Sequence, residues 1–211
     1  WKAVLPTLRR PGETFRLSIK GDDRWGNPSN RLTGKIKLKT NLPVTGLAEI
    51  IDLKVGDFGV VIDGLSVESS GVLHLTVLDE DDQLIATANP LVIRQADAAH
   101  FWSDMHAQSG ETIGVGTARE YFDFARNKAF LDIAGHQGND FQITDAFWQH
   151  LNALTAEYNE DNRFLTLPGY EWSGNTGLGG DHNVWFRDEG RPISRSSRAL
   201  ISDRTFPEND V

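Results

Sequence analysis

The residues predict two domains of different class: an antiparallel β-sandwich of immunoglobulin type over residues 1–95 and an α/β domain over residues 96–211. Three observations carry this expectation. The 211-residue chain has a net charge of −9, yet residues 1–95 hold 12 Lys+Arg against 12 Asp+Glu, so the remaining 9 basic and 18 acidic residues fall in the second part. In the first part, short runs alternate polar and apolar residues with period two, the mark of strands with one buried face. In the second, strand-like runs alternate with helical patterns, which is α/β logic with parallel strands.

Composition narrows the classes further. The chain is 39% hydrophobic and carries six Trp and eleven Phe, too much apolar surface for a disordered protein. No apolar run approaches the roughly 18 residues that a membrane helix needs. The absence of Cys excludes disulfides, zinc ribbons and thiol catalysis. An acidic second half argues against a nucleic-acid surface, which would be basic.

Residues 14–20, 35–39 and 73–77 alternate as strands, with His74 on the polar side, and residues 58–62 form an apolar run expected to be a core strand. Turn clusters separate them at residues 21–23, 25–28, 41–43 and 79–82. The acidic run Asp79 to Asp82 lacks the spaced loop of an EF-hand and reads as a solvated hairpin tip. Residues 89–93 close the sandwich.

The second part opens with a strand over residues 101–105. Thr117 and Glu120 then form a capping box for a helix whose apolar face includes Tyr121, Phe122 and Ala125. A buried strand is expected over 131–135 and a second helix over 145–158, striped by Phe147, Leu151, Leu154 and Tyr158. Two more strands are expected over 164–167 and 183–186. His106 follows the first strand, His136 the second and Glu171 the third, while His182 opens the fourth. Carboxyl ends of parallel strands share one face, so three imidazoles and a carboxylate can meet there, a donor set that suits zinc, manganese or iron. The competing reading of each is a hydrogen-bonded residue at a strand end.

Residues 101–109, which include Asp104, His106 and Gln108, resemble the opening Asp-Leu-His-x-His motif of PHP-type metal-dependent hydrolases (the polymerase and histidinol phosphatase superfamily). Gly135-His136 falls where that superfamily has Asp-His, and Glu171 matches its strand-end glutamate. A closer resemblance is to a bacterial PHP-like family, domain of unknown function 3604. It is carried by the runs His106 to Thr112, Gly135 to Asp140, Pro168 to Gly174 and Gly179 to Val184, with Ala88-Asn89-Pro90 closing the preceding sandwich.

The resemblance implies a distorted (β/α)7 barrel holding two or three divalent ions (Mn, Zn or Fe) on His106, His136, Glu171 and His182. It also implies phosphoester hydrolysis by a metal-activated water on a small anionic substrate. Asp104 would orient His106, and Asp140 would move a proton or complete the ligand set. Gln108 and Gly135 depart from the superfamily pattern, which puts the outermost ion in doubt. Such a barrel takes roughly 200 residues, so the chain is expected to be the front part of a longer protein, its barrel stopping after three to four strands.

Arg187, Arg191, Arg195 and Arg198 could meet an anionic substrate or simply be solvated. Two rival readings belong to other classes. Ser109 or Ser173 could act as a nucleophile beside a His, although neither lies in Gly-x-Ser-x-Gly. Alternatively, the sandwich binds polysaccharide or a protein partner and the second part is inactive scaffold.

Overall fold

The computed structural model describes residues 1–174 and 180–196. Its contacts divide the chain into two compact units, Trp1–Phe101 and Trp102–Val211.

The first unit contains ten strands: β1 (Lys2–Val4), β2 (Leu8–Arg9), β3 (Phe15–Lys20), β4 (Gly34–Thr40), β5 (Ile50–Leu53), β6 (Gly59–Leu65), β7 (Gly71–Leu73), β8 (Leu75–Leu78), β9 (Leu84–Thr87) and β10 (Leu91–Ile93). They form sheets ordered β1-β3-β6, β2-β10-β7 and β5-β4-β8-β9. Alternation puts Phe15, Leu17 and Ile19 of β3, Ile36 and Leu38 of β4, and Leu75 and Val77 of β8 into one apolar core. The run 73–77 is not one strand. It breaks at His74, whose N–H donates to Asn41 Oδ1 at 2.7 Å; β7 pairs with β10, and β8 pairs with β4 and β9. The apolar run 58–62 becomes the half-exposed strand β6, which pairs with β3 alone. At the acidic tip, Asp79 Oδ1 accepts the N–H groups of Asp81 and Gln83, and Lys37 pairs with Asp82 at 2.9 Å. The Asn89 side chain accepts from Leu5 N–H and donates to Leu5 O, both at 2.9 Å, fastening the first residues of the unit to the last.

The second unit runs β11 (Ser103–Ala107), α1 (Ala118–Asn127), β12 (Ile133–His136), α2 (Asp145–Tyr158), β13 (Leu165–Thr166), β14 (Gly169–Ser173) and β15 (Asp181–Trp185). Strands β11, β12 and β13 form a parallel sheet. Thr117 and Glu120 make the expected capping box at α1. Phe122, Leu151, Leu154 and Phe164 lead the core between helices and strands.

The (β/α)7 barrel is overturned. The described residues are mostly β-structure with two helices, the parallel sheet is open at three strands, and β14 and β15 form a separate antiparallel ribbon. The reason is connection length. Residues 174–180 alone join β14 to β15, whereas a parallel crossover needs about a dozen residues or more.

Candidate functional site

The site is built at the carboxyl ends of β11 and β12, where an irregularity decides which side chains meet. Asp104 pairs with Ala134 and Ala107 with His136, so three residues of β11 advance against two of β12. Such a bulge re-aims the side chains beyond it. Strict alternation from Asp104 would have put His106 and Gln108 on the side of β12 that carries Ala134 and His136. With the extra residue, both reach Glu171 instead.

His106 Nε2 lies 3.2 Å from Glu171 Oε2, across 65 positions of sequence, with the imidazole half exposed and the carboxylate buried. Two amides grip the same oxygen: Gln108 Nε2 donates to it at 3.0 Å and Asn139 Nδ2 at 2.9 Å. Each amide is itself oriented. Thr112 Oγ1 donates to Gln108 Oε1 at 2.8 Å, and Asn139 Nδ2 also donates to Ser173 Oγ at 2.8 Å. The backbone of residues 138–140 lies beside Glu171, with Glu171 N–H to Gly138 O at 2.9 Å and Asp140 N–H to Glu171 O at 2.8 Å.

The other expected residues lie elsewhere. Asp104 Oδ1 accepts the backbone N–H of His106 at 3.2 Å, a local turn that fixes the approach of the imidazole. His136 points at the helices, its ring edge-on to Phe147 and Tyr121. Gly138 N–H donates to its Nδ1 at 3.2 Å, so the neutral ring carries its proton on Nε2 and donates to Ser109 Oγ at 2.7 Å. That polarity leaves no lone pair facing the hydroxyl. Ser109 is fully buried and His136 nearly so, which removes the serine-hydrolase geometry at Ser109. His182 is the cross-strand partner of Trp172, whereas Asn183 faces Glu171. One residue of register therefore puts His182 on the opposite face of the ribbon, against the Trp172 ring. Among the described residues, no group of three His, Cys, Asp or Glu side chains converges.

Asp140 is fully buried. Its Oδ1 accepts from Ser173 N–H at 2.7 Å and from the Ser196 hydroxyl at 3.1 Å, and its Oδ2 accepts from Ser196 N–H. It therefore ties the end of β14 to the segment that follows β15. At Gly135, where the superfamily has Asp, an added Cβ would meet Trp185 Nε1 at 3.3 Å, so the indole fills that place. Arg195 is buried on Asp145 at 2.9 Å, Arg191 pairs with Asp188 at 3.4 Å, Arg187 is exposed, and Arg198 lies outside the described residues. Sequence reasoning missed Asn139. It stands in the quoted run from Gly135 to Asp140, and continuing the alternation of β12 separates Gln137 and Asn139 from His136 and Gly138.

Burial pushes the His136 imidazole down to about 4 from 6.5, against a smaller upward pull from Glu111. Above pH 6.5 the ring is neutral both folded and unfolded and adds no pH dependence. As pH falls from 6.5 to 4, the unfolded chain takes up a proton that the folded chain refuses. Stability of the second unit should therefore drop by about 3 kcal/mol over that window. Urea titrations followed by helical ellipticity, with chelator present, test this; a slope in His136→Phe as steep as in the wild type would refute it.

A two-unit chain whose second unit sets His106 of β11 against Glu171 of β14 is the class that fold and site define. The family model described as "Protein of unknown function (DUF3604)" matches residues 72–208, and the chain belongs to that family. It is also similar to an uncharacterized protein of Chlamydia pneumoniae, 22% identical over 197 residues that make up 90% of this chain. The chain spans 31% of that relative's length.

Proposed function

We propose that the chain supplies part of a PHP-like metal-dependent hydrolase site, in which His106 and Glu171 hold a divalent ion and the bond cleaved is a phosphoester. The observation that carries the reading is the approach of His106 Nε2 to Glu171 Oε2 at 3.2 Å. A neutral imidazole nitrogen and a carboxylate oxygen are the donors that manganese, zinc and iron share. The sequence resemblance to PHP-type hydrolases supports the reaction class.

When bound, the ion would lower the pKa of a water and stabilise charge on a phosphoryl oxygen. The chain's own residues prepare for this. Gln108 and Asn139 fix the carboxylate, the Asp104 turn fixes the backbone that carries His106, and the half-exposed imidazole opens the pair to solvent. The residues fit one ion better than a cluster, because His136 has both ring nitrogens engaged and His182 faces away from Glu171.

Purified without added metal, the protein is expected to carry manganese, zinc or iron by plasma mass spectrometry. His106→Ala/Glu171→Gln should lose it while keeping its helical ellipticity. A wild type that stays metal-free even after reconstitution would refute the reading. A wild type that holds metal justifies a screen of phosphoester substrates.

A further inference from the structure

Asn139 is buried, and its two amide hydrogens are both spent on Glu171 Oε2 and Ser173 Oγ. Those bonds fix the orientation of the amide, since turning it over would set oxygen against carboxylate. Its Oδ1 is nevertheless buried without a hydrogen-bond partner among the described residues. An orphaned buried carbonyl costs about 1–3 kcal/mol, and this one sits on the side chain that grips the carboxylate of the candidate site. Gln108 is not in the same position: its Oε1 is occupied by the Thr112 hydroxyl, so it serves only as a donor.

We propose that Asn139 Oδ1 is a third protein donor to the divalent ion, making this a one-ion His106–Glu171–Asn139 centre. This rests on the functional reading above. An amide oxygen is a harder donor than a third imidazole, which biases the set toward manganese over zinc. Asn139 then has two tasks, holding Glu171 through nitrogen and meeting the ion through oxygen.

Calorimetric titration of the chelator-treated chain with Mn(II) separates those tasks. Asn139→Ala loses both, and its affinity should fall about 100-fold, the upper end of what losing an orienting partner alone costs. Asn139→Asp loses the donation to Glu171 but keeps a stronger oxygen donor, so it should bind Mn(II) at least as tightly as the wild type. Asn139→Asp binding as weakly as Asn139→Ala would overturn the proposal, because only the N–H groups would then matter. A wild type that binds Mn(II), with His106→Ala failing and Asn139→Ala unchanged, would overturn it while leaving the functional reading intact. No binding by the wild type would overturn both. Helical ellipticity of each variant confirms that the second unit is folded.

Discussion

Asp140→Ala is expected to destabilise the second unit by about 3–4 kcal/mol, because hydrogen bonds to a buried carboxylate contribute roughly 1.5–3 kcal/mol each and their donors would be left behind. Three donors are at stake: Ser173 N–H, Ser196 N–H and the Ser196 hydroxyl. They come from two segments that no regular strand pairing joins among the described residues. Ser173 also receives Asn139 Nδ2, so in the proposed centre Mn(II) affinity should weaken along with stability. Both described helices belong to this unit, and urea unfolding followed by helical ellipticity reads the effect. A catalytic Asp140 would behave differently, costing turnover at nearly unchanged stability; a loss under about 1 kcal/mol would sink the structural reading.

Arg195→Ala should cost a comparable amount, about 3–5 kcal/mol, since it leaves the Asp145 carboxylate buried without its counter-ion. Arg195 Nη2 donates to Asp145 Oδ1 and to Ile143 O, both at 2.9 Å, and the two side chains are almost wholly buried. The pair is not ideally served, however, because Arg195 Nε and Asp145 Oδ2 have no hydrogen-bond partners among the described residues. The double replacement Arg195→Met/Asp145→Leu should therefore recover most of the loss. If the double variant is as unstable as Arg195→Ala, packing of the arginine stem rather than the stranded charge is the cause. Combining Arg195→Ala with Asp140→Ala should cost less than the sum, because both side chains anchor the same short segment.

Local features of this chain are legible in its sequence because they depend on near neighbours. The capping box at Thr117, the span of α2 and the inward alternation of β3 and β4 all follow from residues within a turn or a pleat of one another. What escaped is set by register. The break at His74 depends on which strands claim each half of the run. The bulge that turns His106 toward Glu171 is invisible without the facing strand β12. His182 opens its expected strand and reads as a partner for His106, yet one position of pairing puts it beside Trp172. His136 stands at a strand end as expected, but its proton is fixed by a backbone N–H two residues away. The strands expected over 164–167 and 183–186 leave room for a parallel crossover, but β14 forms inside that stretch and leaves only residues 174–180 to reach β15.

The fastening at Asn89 bears on how the first unit would respond to tension. Strand β2 lies parallel to β10, with Leu8 beside Val92 and Arg9 beside Ile93, and Asn89 bridges both backbone groups of Leu5 just ahead of β2. A pull that has passed β1 runs backward along β2 and forward along β10. Parallel neighbours drawn apart in that way slide past each other, so their cross-links share the load and yield together instead of peeling one at a time. Tension along β2 and β10 would therefore load their backbone pairing and the Asn89 bridge together.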